Sequence, residues 1–294
     1  MKNPQPGIFA LGTSSHAYLE FDAVDRRHGG DVVASIASLR EPRTTMGGVN
    51  LVAGFRPELW GSLVPDGLPP GLEGFNAELS GADGFTMPAT QHDAVLWLSS
   101  AAYDVIFDAA RAAIGELAGL ATVGEETSSW SYQHDRDLTG FIDGTENPTL
   151  VEAPGVVLVP EGTPGEGGTV LLLQKWEHDA GAWEALPVQE QELAMGRTKL
   201  DSVELENKPA DSHVAATDQD SFGHIFRRNM AYGTVTDHGT MFVGFASEQR
   251  PLADMLTSMV ETPDALTHYT HPLTGAYYFV PSIESLLEVS GQGA

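Results

Sequence analysis

The sequence contains no cysteine, and its basic residues are scarce. Without cysteine, disulfides, thiolate metal sites and cysteine nucleophiles are all excluded. The 15 Lys and Arg residues stand against 41 Asp and Glu residues, giving a formal net charge of −26. This charge opposes binding to nucleic acids and to anionic membranes, whose phosphates need Lys and Arg. We therefore expect neither partner, and the acidity either attracts cations or serves only solubility.

Long apolar runs are also absent. No window reaches eighteen uninterrupted apolar residues, so a membrane-spanning helix is not expected. Residues 1–21 lack the sustained apolar segment of a secretory signal, which predicts a cytoplasmic protein. A chain of 294 residues with 41% hydrophobic residues can bury a sizeable core, as one large domain or as two closely fused units.

Two similar successions of strands and helices follow one another along the chain. Before residue 150 the hydrophobic patterns predict strand, helix, strand, strand, helix and strand, the order of a ferredoxin-like fold. The predicted segments are residues 16–24, 32–39, 49–55, 93–99, 103–120 and 128–133. A similar order returns in strands 169–176, 225–229, 240–246 and 276–280 and in helices 188–195 and 252–260. We therefore predict an α+β fold with antiparallel sheets and peripheral helices, divided into ferredoxin-like halves at 1–150 and 151–294.

Residues 137–148, Asp-Leu-Thr-Gly-Phe-Ile-Asp-Gly-Thr-Glu-Asn-Pro, combine three acids, two glycines and an Asn-Pro stop after a predicted strand. On its own this composition is typical of an exposed turn. Gly144 beside Asp143 also allows the backbone to approach a ligand closely, while the carboxylate stays free for chemistry.

The string Gly-Phe-Ile-Asp-Gly-Thr-Glu-Asn-Pro at 140–148 resembles the Gly-x-x-Asp-Gly signature of the dye-decolourising peroxidases, which are haem enzymes. Further matches follow in the family's order at 196–199 (Gly-Arg-Thr-Lys), 212–213 (Ser-His), 227–233 (Arg-x-Asn-Met-x-Tyr-Gly) and 239–243 (Gly-x-Met-Phe-Val). The compact length and short loops between these motifs look like the bacterial subgroup often called class B. The resemblance implies two tandem ferredoxin-like halves packed as a dimeric α+β barrel, with the haem held mainly by the second half.

The implied function is that of a haem b peroxidase with one haem per chain. It would reduce hydrogen peroxide and oxidise dyes, phenolic compounds or other electron donors through a ferryl intermediate. The alternative is a haem-binding or iron-release protein on the same fold, and a third reading is a barrel without haem in which the glycine turns are structural. The resemblance also implies a homo-oligomer. Residues 282–294 have almost no apolar side chains after Val289, so an encapsulating partner is not expected.

The resemblance places the axial ligand of the haem iron at His213. Neutral imidazole is a usual ligand in haem proteins. The main rival is His224, eleven positions later. A carboxylate bonded to the other ring nitrogen would give the ligand imidazolate character, and Asp218 and Glu204 are acids close by in the sequence.

On the opposite side of the haem, the resemblance carries catalytic roles onto Asp143, Arg227 and Asn229. Asp143 would accept a proton from peroxide and return it to the departing oxygen. Arg227 would stabilise developing negative charge and hold haem or peroxide in place, and Asn229 would orient water or peroxide. On a strand, Arg227 and Asn229 share a face. Arg228 then points the other way and is expected to be solvated.

The remaining predicted contacts are with the cofactor itself. If the motif folds as in the family, the backbone of Gly144, Thr145 and Glu146 lines the porphyrin edge. Arg197 pairs either with a haem propionate or with the abundant surface acids. Phe242 and Phe245 are candidates for the walls of the pocket, although core packing is the stronger expectation for at least one of them.

Overall fold

The structure is a computed structural model that describes residues 2–39, 48–81, 84–133, 135–262 and 264–291. Its strands are β1 Ser15–Ala23, β2 Asn50–Phe55, β3 Leu79–Ser80, β4 Thr86–Met87, β5 Ala94–Ser100, β6 Ala121–Trp130, β7 Thr169–His178, β8 Phe226–Arg227, β9 Met230–Gly233, β10 His238–Ala246, β11 Thr270–Pro272 and β12 Ala276–Val280. Its α-helices are α1 Gly29–Ser38, α2 Pro57–Leu63, α3 Tyr103–Glu116, α4 Ala153–Val157, α5 Ala180–Ala185, α6 Val188–Met195, α7 His213–Ala216, α8 Gln219–Phe222, α9 Arg250–Glu261 and α10 Ile283–Val289. Short 3-10 turns lie at Pro6–Phe9, Arg26–His28 and Ala265–His268.

Eight antiparallel strands close into a barrel in the order β2, β5, β1, β6, β9, β10, β7 and β12. Within each half the strands follow the ferredoxin-like order, β6-β1-β5-β2 in the first and β12-β7-β10-β9 in the second. The halves are hydrogen-bonded at both edges, through β6 with β9 and through β2 with β12. The predicted α+β barrel is confirmed, and closure leaves these strands without the unpaired edges that invite aggregation.

The strands separate two hydrophobic layers because successive side chains point to opposite faces of a strand. In β1, Leu19 and Phe21 belong to the layer that also contains the buried faces of α1, α3 and α9. Tyr18, which precedes Leu19 and points to the opposite face, belongs to the barrel interior together with Trp97 of β5 and Tyr278 of β12. Strands β5 and β12 are buried on both faces, which explains why their sequences read as continuous apolar runs.

The strand predicted at 225–229 is shortened in the structure to β8, and a separate strand, β9, begins at Met230. Asn229 causes the interruption, because its side-chain Oδ1 accepts a hydrogen bond from the backbone N–H of Val243 at 3.0 Å. A side chain thus occupies a position that a backbone carbonyl would take in a regular ladder. The break allows Arg227 and Asn229 to line the same cavity beside the sheet.

Two other boundaries differ from prediction. The strand expected at 128–133 runs from Ala121 to Trp130. Its first part was not predicted, because the polar and apolar residues there are only partly buried and give no clear strand pattern. The helix expected at 103–120 ends at Glu116, ahead of Gly119 with its φ of +83°. A positive φ of this kind terminates helices and favours glycine.

The expectation that Arg228 is solvated was wrong. Its side chain is buried inside the barrel, and its guanidinium donates hydrogen bonds to the carbonyl oxygens of Gly7, Ile8 and Ala10. It also lies 4.9 Å from the ring centroid of Trp97. Burial lowers the pKa of Arg228 to about 10, and the carbonyl acceptors and the aromatic face offset the cost of removing this cation from water.

Among the described residues, no helix has both the length and the apolar character that crossing a bilayer requires.

Candidate active site

A cavity of about 1210 Å³, partly open to solvent, lies between the outer face of β7 and β10 and the helix α9. The sheet contributes Leu172, Trp176 and Phe242 to its walls. Helix α9 contributes apolar side chains at positions one turn apart, Leu252, Met255, Leu256 and Met259. This spacing is typical of the buried face of an amphipathic helix, and here part of that face lines the cavity. The result is a wide apolar slot with polar groups at its ends.

His213 forms one polar end of the cavity. It is the first residue of α7, and its Nδ1 lies 2.7 Å from Oδ2 of Asp264, a carboxylate with no exposed surface. Burial by itself would lower the pKa of His213, but the charge of Asp264 and the hydrogen bond to it raise that pKa above its ordinary value. With Nδ1 donating to Asp264, Nε2 is the nitrogen left for a ligand.

Asp264 is held in place by its own neighbours. Its Oδ1 accepts from the backbone N–H of Leu266 at 2.8 Å, and the N–H of Ala265 donates to the carbonyl of Asp211 at 2.7 Å. These bonds join the segment before His213 to the 3-10 turn that carries Asp264. Sequence reasoning missed this residue, which lies 51 positions from His213.

The acids and the histidine that the sequence proposed nearby lie elsewhere. Asp218 caps α8 by accepting from Asp220 N–H, and Glu204 pairs with Lys208. His224 is exposed and does not line the cavity. The second histidine of the cavity is His178, whose pKa burial lowers to about 4.

Asp143 and Arg227 form a second polar group on the lining of this cavity, called the Arg227 end below. Nη2 of Arg227 lies 3.7 Å from Oδ1 of Asp143, and each side chain keeps 19% of its surface exposed. The same Asp143 oxygen accepts from the backbone N–H of Gly144 at 2.7 Å. Nε of Arg227 is buried and has no hydrogen-bond partner among the described residues. The guanidinium therefore retains donor capacity for a ligand.

Asn147 fixes the backbone of Arg227. Its side-chain Oδ1 accepts from the Arg227 N–H at 2.8 Å, and its Nδ2 donates to the Arg227 carbonyl at 2.9 Å. This reciprocal pair binds the signature loop to β8, 80 positions away. Gly144 lies against it with a φ of +72°, and a Cβ there would come within 2.8 Å of Asn147 Nδ2. The Asp-Gly and Asn-Pro pairs of the motif therefore do more than form a turn, because both take part in the contact between this loop and β8.

A second carboxylate, Asp137, lines the same cavity, and the sequence reasoning did not single it out. Its Oδ1 accepts hydrogen bonds from the backbone N–H and the hydroxyl of Thr139. Burial and then the charge of Asp143 raise the pKa of Asp137 to about 6, against the opposing effect of the Thr139 hydrogen bonds. Two interacting acids therefore share this end of the cavity with the single guanidinium of Arg227.

The predicted cofactor contacts are mostly brought together. Thr145, Glu146 and Arg197 line the cavity, whereas Gly144 lines an adjoining one. Arg197 forms an ion pair with Glu146, and its Nη2 lies 3.6 Å from Oε2 of Glu204.

Only one of the two predicted aromatic walls is in place. Phe242 lines the cavity. Phe245 packs instead inside the barrel, in agreement with the expectation that at least one of the two serves the core.

These residues fit a haem. A flat, largely apolar macrocycle matches the slot between the sheet and α9, and His213 Nε2 is available as an axial ligand. Two buried polar atoms that lack partners among the described residues, Arg227 Nε and Thr240 Oγ1, belong to residues lining this space. Arg197 and Arg227 supply positive charge for the carboxylates of such a group.

Known proteins similar to this chain agree with that fit. The family model described as "Dyp-type peroxidase, C-terminal" matches residues 134–285. A dye-decolorizing peroxidase from Rhodococcus erythropolis is 34% identical, with 96% of this chain and 88% of the relative aligned. A crystal structure of a dye-decolorizing peroxidase from Bacteroides thetaiotaomicron has a TM-score of 0.87 at 29% identity, covering 98% of this chain and 99% of that one. A variant of DypB from Rhodococcus jostii in complex with heme has a TM-score of 0.82 at 31% identity, covering 93% and 94%.

Proposed function

This chain belongs to the Dyp-type peroxidase family and is a haem peroxidase, and we propose that its catalysis is divided between His213 on one side of the cofactor and Asp143, Arg227 and Asn229 on the other. The observation that carries these roles is that His213, held by the buried Asp264, lines the same cavity as the ion pair of Arg227 with Asp143.

When bound, the haem supplies the redox chemistry that splits hydrogen peroxide and withdraws electrons from a reducing substrate. Asp143 accepts a proton from one peroxide oxygen and returns it to the other, which leaves as water. Arg227 keeps its positive charge throughout and stabilises the negative charge that develops as the O–O bond breaks. Asn229 has its Oδ1 engaged with Val243 N–H, so its amide nitrogen is the group that orients peroxide or water.

On the other side, Asp264 holds His213 with Nδ1 protonated and Nε2 directed to ligation. The buried carboxylate gives the imidazole anionic character, which increases its basicity as a ligand. Thr145 and Glu146, with Gly144 beside them, would help to hold the haem, and Arg197, now paired with Glu146 and close to Glu204, would supply positive charge for a haem carboxylate.

Several finer properties belong to the proposal. The chain is assigned to the class B-like subgroup, to the cytoplasm and to a homo-oligomeric state on the family resemblance, and its division at residue 150 stays a prediction. An encapsulating partner is not proposed. The haem-binding or iron-release alternative is not favoured, because the similar proteins described above are peroxidases.

The proposed roles are tested by recording the absorption spectrum of the haem-loaded protein before and after one equivalent of hydrogen peroxide. Rapid and complete conversion of the Soret band in the wild type is expected, together with oxidation of an added phenolic donor. A haem spectrum that does not respond to peroxide would refute the division of roles and favour haem handling.

A further inference from the structure

A second cavity connects the Asp143 side of the site with solvent. It encloses about 1680 Å³ of space open to the surface, and its lining includes Tyr132, Asp135 and Arg136. Asp137, Asp143, Arg227 and Asn229 line both cavities. The second cavity, called the outer cavity below, is therefore a route by which water and small solutes reach the catalytic acid.

The proton balance of the reaction requires such a route. Reduction of hydrogen peroxide consumes two electrons, drawn from the reducing substrate, and two protons, and it yields two molecules of water. In the proposed function Asp143 only moves one proton from one peroxide oxygen to the other, so it brings no proton into the site. Both consumed protons must enter from outside, and an acid that lines both cavities together with Asp143 is suited to deliver them.

Asp137 lines both cavities, and among the residues that the structure describes no cation pairs with it. The guanidinium of Arg136, its neighbour in sequence, donates instead to the carbonyls of Gly140, Lys199 and Leu200. The ammonium group of Lys199 donates to Gln191 Oε1. Arg227 is paired with Asp143.

The charges that act on Asp137 are those of Asp143, which opposes its ionisation, and His213, which favours it. Its only described hydrogen-bond donors are the neutral groups of Thr139. Like charges in a confined site cannot both ionise freely, so such a pair of acids holds a proton on one member. Arg227 pairs with Asp143, whereas burial and the charge of Asp143 oppose the ionisation of Asp137, so the proton is assigned to Asp137.

We propose that Asp137 is the proton-holding partner of Asp143, loading protons from the outer cavity and supplying them to the site during turnover. This role rests on the proposed peroxidase function. Asp137 acts through Asp143. It holds the proton in position and does not itself touch peroxide.

The test compares haem-loaded wild type with Asp137→Asn and with Asp135→Asn, which places the same change on an exposed acid of the outer cavity. Asparagine keeps an oxygen to accept the Thr139 hydrogen bonds but cannot carry the proton. In wild type the turnover rate should fall as the pH rises through about 6, where the Asp137 carboxyl loses its proton. In Asp137→Asn this pH dependence should vanish and turnover at pH 5 should fall by roughly 10- to 100-fold. The first reaction with one equivalent of peroxide, which needs no imported proton, should stay within about twofold of wild type.

A second measurement does not depend on activity. Infrared difference spectra recorded across the pH range should show a protonated carboxyl that titrates near pH 6 in the wild type and in Asp135→Asn. This signal should be missing in Asp137→Asn and should return, at a changed midpoint, in Asp137→Glu together with part of the turnover.

The outcomes separate this role from the proposed function. If Asp137→Asn keeps both the wild-type pH profile and the carboxyl titration while the wild type reacts with peroxide, Asp137 does not hold the proton. Loss of the pH profile that Asp137→Glu fails to restore would likewise reduce Asp137 to a structural part of the loop. A wild-type protein whose haem ignores peroxide would refute the peroxidase mechanism itself.

Discussion

The two ends of the haem cavity are built differently. At the His213 end the imidazole and the carboxylate of Asp264 are 2.7 Å apart, and the carboxylate is wholly buried. At the Arg227 end the guanidinium and Asp143 are 3.7 Å apart, and both stay partly exposed beside the outer cavity. His213, Asp143 and Arg227 all line one cavity, yet the contact of His213 with Asp264 is shielded from solvent (the closed end) and the contact of Arg227 with Asp143 is open to it (the open end).

The difference fits the two chemical tasks that we propose for these residues. An axial ligand must hold one tautomer and one orientation, and a short bond to a buried carboxylate secures both. A catalytic acid must exchange protons, water and peroxide during every turnover, so its partner has to leave room for them. The backbone beneath the open pair is nevertheless rigid, because Asn147 binds both the N–H and the carbonyl of Arg227.

Removal of His213 should have the largest effect of these substitutions on haem binding, because it removes the imidazole from the closed end. In His213→Ala no imidazole remains to ligate iron, and haem affinity should fall by more than roughly 100-fold. Haem titration followed at the Soret band measures this loss. His224→Ala serves as the control and should bind haem like the wild type, because His224 lies outside the cavity. Equal losses in the two variants would remove the assignment of His213 as ligand.

Changes at the open end should reduce the rate while haem stays bound. Arg227→Leu removes the fixed cation and should slow the reaction with peroxide by about 10²- to 10³-fold. Asp143→Asn should slow it by less than about 100-fold, because the fixed cation of Arg227 remains to stabilise the developing negative charge. Stopped-flow absorption after mixing with peroxide gives both rates. The reverse order of effects would make the acid, and not the cation, the dominant group.

Asp264→Asn should weaken the closed end without dismantling it. The amide can still contact Nδ1 of His213, but the negative charge that polarises the imidazole is gone. We expect a 10- to 100-fold loss of haem affinity or of turnover, the usual cost of losing the partner of a ligating histidine. Asp218→Asn is the matched control, since asparagine caps a short helix as well as aspartate does. The assignment fails if the two substitutions change haem affinity equally.

Asn147→Ala should have the smallest effect and would test whether the open end depends on its backbone support. The substitution leaves the N–H and carbonyl of Arg227 without these partners, which should lower the free energy of unfolding by about 1–3 kcal/mol. Urea denaturation of the haem-loaded protein measures the change. The exposed Asn207→Ala should be neutral, and a comparable loss there would mean that the effect is not specific to the loop contact.

Much of the fold was predictable because it repeats over short distances. The two-residue period of β1 and the apolar runs of β7 and β12 indicated strands, and the order of elements indicated two ferredoxin-like halves. Closure of the barrel through β6 with β9 was not visible in these patterns, since the pairing of two edges depends on residues about a hundred positions apart. Arg228 shows the same limit, because its burial depends on carbonyls of residues 7–10, which no local pattern connects to it.

The sequence by itself determined the chemical inventory of the site: a histidine, two arginines, an aspartate and an asparagine in motifs whose order matches a peroxidase family, with no cysteine to offer other chemistry. Only the tertiary structure decided which groups act together. It paired His213 with Asp264, bound Asn147 to the backbone of Arg227 and set Asp137 beside Asp143 where two cavities meet. The physical reason is that hydrogen bonds and charges act through space. Their partners are therefore chosen by how the barrel closes and the loops pack, and not by distance along the chain.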